Sequence, residues 1–194
     1  MTDQTVHLIH LGEPSGYAYG QAREAVNSFN AMGNPCALWE EDDLRLRYGR
    51  ALVNRVVMDF PSLAGASNVF RLWVINDFGG IYADTDIICH KPIHKLFEHE
   101  AFGAIQDDEG RICNAFFGAR KNHPWIRWQI DHVYEYKGLG AYWGVDLMSR
   151  APREGVTLID PAICYPYSWT TPKDERKLKP ETLVEHKWAG SWIK

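Results

Sequence analysis

Two aspartates, Asp84 and Asp86, flank Thr85 directly after the run Gly79-Gly80-Ile81-Tyr82-Ala83. In extended backbone, residues i and i+2 point to the same side. The two carboxylates are therefore expected to face one direction at close range. Like charges so placed repel and push a carboxyl pKa upward unless a cation neutralises them. A hard divalent cation, with oxygen ligands from the protein and ligand phosphates in its other positions, resolves that conflict. A bare Asp-x-Asp also describes two surface acids at a strand end. Its setting behind an apolar helix, a double glycine and a short strand sets this one apart.

A second group lies inside that helix. Ser67 and Arg71 are four apart and Asn68 and Arg71 three apart, so they share a face. They form a narrow polar stripe on a segment, Ser62 to Phe78, whose apolar residues nearly encircle the helix. Such a segment is buried on most sides. A buried guanidinium needs a partner, and Asp84 or Asp86 is the nearest in sequence. The pair would tie helix to strand, and an arginine so held is also placed to touch a ligand. A third group is the tail, where His186, Ser191 and Trp192 lie among aromatic residues. If the tail docks on the body, an imidazole or hydroxyl there can complete a metal shell.

Other candidates are weaker. His90, His94 and His99 invite a zinc reading, but Pro92 interrupts the helix that would align the first two. Asp107, Asp108 and Asp146 are further acids that no spacing selects. Neither a G-x-G-x-x-G turn nor a phosphate-cradling P-loop occurs. Arg45, Arg47, Arg50 and Arg55, or the lysines from Lys173 to Lys179, would suit an acceptor groove or simply a solvated face.

The elements that must position these groups alternate. A strand is expected over Thr5–Leu11, a helix from about Tyr19 to Met32 and a strand over Cys36–Trp39. A charged helix or turn over Glu40–Arg50 and a helix over Ala51–Phe60 precede the buried helix. Gly79-Gly80 ends that helix, because glycine accepts the left-handed conformation of a C-cap. Short strands follow at Ile81–Ala83 and Ile87–Cys89, then strands at Ala101–Gln106 and Ile112–Ala119. Helices over Pro124–Tyr136 and Val145–Arg150 and a strand over Val156–Ile159 lead into a loop-rich tail. This alternation predicts an α/β layered domain, whose ligand site lies at the carboxyl ends of the strands.

Length and composition fit one domain. The chain has 194 residues, 45% hydrophobic and 24% charged, enough for a core of its own. The formal charge of −4 argues against nucleic acid as a partner. No stretch reaches the ~18 apolar residues of a membrane span, and the first residues lack the pattern of a secretory signal. Four scattered cysteines without a C-x-x-C pair suggest reduced thiols in a cytoplasmic protein.

Ala66-Ser67-Asn68-Val69-Phe70-Arg71 followed by Phe78-Gly79-Gly80-Ile81-Tyr82-Ala83-Asp84-Thr85-Asp86 resembles the DXD sugar-binding region of glycosyltransferase family 32. That family includes bacterial capsular-polysaccharide transferases and the yeast initiating mannosyltransferase, and clostridial glucosylating toxins share the region more distantly. His7-Leu8-Ile9-His10-Leu11-Gly12 resembles the family's first strand. Asn114–Ala119 with His123-Pro124 resembles its middle block, and His186–Trp192 its closing H-x-W-x-x-S-W.

The resemblance implies a single GT-A-like α/β/α sandwich over residues 1–194, with a mostly parallel sheet. Residues from about 160 to 194 would form a tail closing the donor site. It further implies retaining transfer of a sugar from a nucleotide-diphosphate donor to a glycan or other hydroxyl acceptor, with Mn²⁺ (or Mg²⁺), as in polysaccharide biosynthesis. By the same resemblance, Asp84 contacts ribose and sugar, Asp86 ligates the metal, and Arg71 contacts the sugar and braces Asp84. Asn114 lies by donor and acceptor, and Tyr82 lines the donor site. His10 and Leu11 lie under the nucleobase. His186, Ser191 and Trp192 close over the diphosphate, with His186 or Ser191 as a further metal ligand.

This chain departs from the family pattern at two places. Asn68 stands where the family has Asp, which implies an altered sugar preference, since Asn keeps an acceptor and gains donors. Trp143-Gly144-Val145-Asp146-Leu147 replaces a G-P-x-x-L-like block near the acceptor. Two other classes compete with the transferase reading. One is a non-catalytic nucleotide-sugar or glycan-binding module of the same fold, separable by turnover. The other is a metal-dependent phosphohydrolase, which would release phosphate without any sugar.

Overall fold

A computed structural model describes residues 4–139 and 143–189 of the chain. Its first half runs β1 (Val6–Ile9), α1 (Gly16–Ala31), β2 (Cys36–Trp39), α2 (Glu41–Tyr48), α3 (Arg50–Asp59), α4 (Leu63–Phe78), β3 (Gly80–Ala83) and β4 (Ile87–Cys89). The second half contains β5 (Ala101–Ala104), β6 (Phe116–Ala119), α5 (Pro124–His132), α6 (Trp143–Arg150), β7 (Val156–Ile159) and β8 (Val184–His186). Six strands form the main sheet in the order β2-β1-β3-β6-β5-β7. β1 is parallel to β2 and β3, β5 is parallel to β7, and β6 alone runs against its neighbours. The sheet is therefore mostly parallel, as expected.

The sheet separates two cores, and strand periodicity assigns residues to each. Along β3, Ile81 and Ala83 join the core that contains Ala25 and Phe29 of α1. Tyr82 joins the opposite core with Val69, Phe70 and Ile75 of α4. Because both faces are covered, β1 is fully buried, apolar at Val6, Leu8 and Ile9 with His7 as its one polar residue. α4 is buried on most of its circumference, as its sequence predicts. The Ser62 hydroxyl caps its start by accepting from Gly65 N–H at 2.9 Å, and Gly79 ends it at φ 72°.

Several boundaries differ from expectation. α1 begins at Gly16 rather than near Tyr19. The helix expected over Pro124–Tyr136 tightens to a 3₁₀ turn from Val133. The strand expected over Ile112–Ala119 reduces to Phe116–Ala119 plus one bridge, Ile105 to Ile112. The Ile112 N–H goes to the Ser149 hydroxyl at 2.9 Å, so α6 takes the donor that a longer ladder would use. The segment from about residue 160 is also less loose than its sequence suggests. Its strand β8 pairs antiparallel with β4, setting His186 opposite Ile87. No helix among the described residues is long and apolar enough to cross a membrane.

Candidate metal centre and ligand site

The site forms where β3 ends. The register Val6 to Ile81 and His7 to Tyr82 brings the end of β1, with His10 and Leu11, alongside the segment that follows Ala83. That segment is not extended. The Ile87 N–H donates to the Asp84 carbonyl at 3.0 Å, closing a turn over Asp84, Thr85 and Asp86. Aspartate is favoured at the first position of such turns, and β4 must leave the main sheet here to reach β8. The expected convergence of the two carboxylates is thus produced by a turn rather than by strand alternation. Asp84, Asp86 and His186 each offer a ligand atom within 4.8 Å of the others.

The two aspartates are held from opposite directions. Asp84 is held by the body of the fold: Arg71 Nη2 lies 3.2 Å from Asp84 Oδ1, and the Tyr82 hydroxyl donates to the same oxygen at 2.7 Å. The Arg71 guanidinium stacks over the Tyr82 ring at 4.4 Å. Its remaining donors reach the Asn114 carbonyl at 2.6 Å, the Ser67 hydroxyl at 3.3 Å and the Ser67 carbonyl at 3.3 Å. The buried arginine is thereby satisfied and fixed. Burial pushes the Asp84 carboxyl up despite the opposing pull of Arg71, and the Asp86 charge adds to the rise.

Asp86 is held by the C-terminal segment. His186 Nε2 lies 3.2 Å from Asp86 Oδ1, and the Ala189 N–H donates to Asp86 Oδ2 at 2.8 Å. The Lys187 N–H donates to the Asp86 carbonyl at 3.0 Å. Burial disfavours the Asp86 charge, but His186 and the hydrogen bond from the Ala189 N–H outweigh it and hold the carboxyl below its usual range. Burial likewise opposes the His186 charge, and Asp86 overcomes it, so the imidazole is raised. The His186 ring packs against Trp188 at 4.0 Å and Tyr165 at 5.8 Å. Two carboxylates and one imidazole suit Mn²⁺ or Mg²⁺ better than a thiophilic metal. Among the described residues, the buried His186 Nδ1 has no hydrogen-bond partner.

Asn68 and Asn114 form the floor beside Arg71. Asn114 Nδ2 donates to Asn68 Oδ1 at 2.9 Å. Gly144, in the first turn of α6, closes this floor. A Cβ there would sit 2.1 Å from Asn114 Nδ2 and 2.8 Å from the Asn68 amide, so only glycine fits. Its role depends on three elements meeting, and no local spacing announces it.

The structure brings together most of the expected residues and reassigns others. Tyr82, expected to line the donor site, is 1% exposed. Its ring is covered by Arg71 and its hydroxyl is used by Asp84, so it supports Asp84 from beneath. Asp84, expected to contact ribose and sugar, also lies within the three-residue metal-ligand cluster. His10 and Leu11 are buried at the same sheet edge. His10 Nε2 lies 3.1 Å from the Glu13 carbonyl, and its ring meets Tyr19 edge-on at 5.3 Å. Ser191 and Trp192 lie outside the described residues. Asp107 is a turn residue: Oδ1 accepts from the Glu109 and Arg111 N–H groups, and Oδ2 pairs with Arg111 at 2.8 Å. His90 is taken by Glu185 at 2.9 Å.

Comparison with known proteins agrees with this geometry. Residues 40–103, which include both aspartates, Asn68 and Arg71, match the family described as "Glycosyltransferase sugar-binding region containing DXD motif". Lactosylceramide 4-alpha-galactosyltransferase of Mus musculus is 25% identical over 177 residues, covering 78% of this chain and 47% of that protein. The chain thus spans about half the length of that curated relative. Among solved structures, PaToxG glycosyltransferase superposes with a TM-score of 0.60 at 15% identity, over 79% of this chain and 69% of that one. Galactosyltransferase LgtC, in complex with donor and acceptor sugar analogs, gives 0.56 at 13% identity over 96% and 87%. The apo form of glycosyltransferase GlyE from Streptococcus pneumoniae TIGR4 gives 0.59 at 13% identity over 98% and 55%. The chain has the GT-A fold, and its residues 40–103 match the DXD-containing sugar-binding region of glycosyltransferases.

Proposed function

We propose that this chain acts as a one-domain, metal-dependent, retaining glycosyltransferase. It would move a sugar from a nucleotide-diphosphate donor to the hydroxyl of a glycan or other acceptor. One observation carries this reading: Asp84, Asp86 and His186 converge at the carboxyl edge of the sheet, with Arg71 locked behind them. Asp84, Asp86 and His186 would hold Mn²⁺ or Mg²⁺. Bound there, the cation would supply positive charge against the leaving diphosphate.

The chain's own residues account for the rest. Arg71 fixes Asp84 through a salt bridge, and Tyr82 fixes it through a hydrogen bond. Asp84 then presents its second oxygen toward sugar and ribose. The Asn68–Asn114 amide pair offers a neutral, hydrogen-bonding floor to sugar hydroxyls, where a carboxylate would offer acceptors only. His10 and Leu11 would line the base side of the donor. Front-face attack, with the leaving diphosphate as base, would need no nucleophile from the protein. Retention also fits the alpha linkage in the name of the mouse relative, if the donor sugar is alpha-linked to its diphosphate. All four cysteines are free thiols, which suits the reducing cytoplasm.

The test is mass spectrometry after incubation with a panel of UDP- and GDP-sugars, Mn²⁺ and simple glycoside acceptors. Transfer or slow hydrolysis of one donor, abolished by EDTA, is expected. Binding of a donor without any turnover would instead establish a non-catalytic module. Phosphate release from sugar-free nucleotides would establish a hydrolase.

A further inference from the structure

Away from the metal centre, one corner of the molecule combines exposed apolar side chains with arginines that neighbouring acids offset only in part. Residues 44–58 contain four arginines and no acid. Arg45 and Arg47 are tied to Glu41 and Asp77. Arg50 has no ion-pair partner among the described residues, and Arg55 approaches Asp59 only at 3.5 Å. In α3, Val53 and Val56 face the core. Ala51, Arg55 and Met58, at i, i+4 and i+7, therefore lie on the outward face.

Met58 is 82% exposed and leads into the corner between α3 and α4, where Leu63 is 50% exposed. The segment 134–139 is bound to the same corner. Gly138 N–H donates to the Asp59 carbonyl at 3.0 Å, Lys137 pairs with Asp59 at 2.7 Å, and the Tyr134 ring packs on Phe60 at 5.7 Å. This brings Leu139, 51% exposed, and Tyr134, 41% exposed, to the corner that follows Met58 and precedes Leu63 in the chain. A single exposed leucine is ordinary, whereas several gathered at one basic corner mark a contact surface.

The corner also borders the site. Phe60 packs on Trp143 at 5.2 Å, and the adjacent Gly144 lies against Asn68 and Asn114. Leu63 lies against Gly12, in the loop after β1. We propose that the α3–α4 corner docks on an anionic lipid bilayer, with Met58, Leu63 and Leu139 entering the interface and Arg50 and Arg55 at the level of the lipid phosphates. Such a mixture suits a bilayer surface, where apolar groups enter the headgroup boundary and long basic side chains remain at the phosphates. A nucleic acid would use the arginines but leave Met58 and Leu139 in water. Docked this way, the site opens beside the membrane, where a lipid-anchored hydroxyl acceptor can reach it. That acceptor class rests on the proposed transferase function, whereas the membrane contact does not.

The experiment is co-sedimentation of the purified full chain with vesicles, which needs no turnover. One set is phosphatidylcholine alone, and the other contains one-third phosphatidylglycerol. Binding is expected to favour the anionic vesicles and to weaken with salt. Arg50→Glu and Arg55→Glu should each lower the partition constant roughly fivefold or more. The double change Met58→Asp with Leu139→Asp should lower it roughly tenfold or more. Leu158→Asp, at an exposed leucine elsewhere, should change nothing, and circular dichroism checks that every variant is folded. Absence of binding to either vesicle set, or equal binding by wild type and the Met58/Leu139 variant, overturns the proposal. So does tight binding to a duplex DNA oligonucleotide that the arginine changes abolish and the Met58/Leu139 change leaves intact. Vesicle binding by a protein that turns over no donor would keep the membrane surface and discard the transferase reading.

Discussion

The nine residues from Phe78 to Asp86 look like one motif, but their two ends do different work. At the glycine end, Gly80 has φ 94°, and a Cβ there would lie 2.4 Å from the Thr5 carbonyl oxygen. Gly79, at φ 72°, would place a Cβ 2.9 Å from the Lys121 amide nitrogen. Both glycines are required by backbone crowding where α4 turns into β3, and neither reaches the metal centre. At the aspartate end the backbone makes an ordinary turn, and the constraint is electrostatic: two carboxylates, one arginine and one histidine share a partly dry pocket. Four residues of strand transmit the first constraint to the second. A recognisable motif is thus part scaffold and part chemistry, and substitutions should separate the two.

The largest expected effect lies at the scaffold end. Gly80→Val should destabilise the fold by about 4 kcal/mol, from a forbidden backbone conformation plus overpacking. Chemical denaturation measures this, and cation binding should disappear only together with the fold. A mild effect would show that the backbone at Thr5 yields. Next comes the residue that joins the two ends. Arg71→Met should cost about 3 kcal/mol, because Asp84 and the Asn114 carbonyl lose a buried partner. Here stability and donor binding should fall together, and Arg71→Lys should restore less of the binding than of the stability.

Asp86→Asn should do the opposite of Gly80→Val. Stability should change by about 1 kcal/mol or less, while Mn²⁺ affinity, followed by calorimetry, should fall roughly a hundredfold or more. The smallest effect comes from a control far from the pocket. His123 caps α5 by accepting from Trp125 N–H at 3.2 Å, and burial lowers its pKa from 6.5. A histidine depressed in the folded state contributes stability above its unfolded pKa and loses it as pH falls toward the folded one. Stability should therefore decline below about pH 6.5, and His123→Asn, which keeps an acceptor without titrating, should remove that slope. Cation affinity in the same variant should be unchanged.

Much of this was legible in the sequence because its causes are local. The apolar circumference of Ser62 to Phe78 announced a buried helix, the spacing of Ser67 and Arg71 placed them on one face, and a buried arginine demanded an acid. The structure supplies Asp84 as that acid. What could not be read depends on contacts between distant segments. The turn at Asp84 exists because β4 must leave the sheet for β8, nearly a hundred residues later. The covering of Tyr82 needs Arg71 to lie across it. Gly144 matters only because α6 presses on Asn68 and Asn114. Asn68 itself, visible as a departure from the family pattern, acquires a physical meaning once its carbonyl is seen to accept from Asn114.

The central claim is that Asp86 belongs to a cation site that recruits a nucleotide-diphosphate sugar. Calorimetric titration of the donor identified by the panel, in Mn²⁺ and again in EDTA, tests it on wild type and Asp86→Asn. Binding by the wild type in Mn²⁺ alone, absent in EDTA and in the folded variant, is the predicted result. Equal donor affinity in all the titrations would contradict the account.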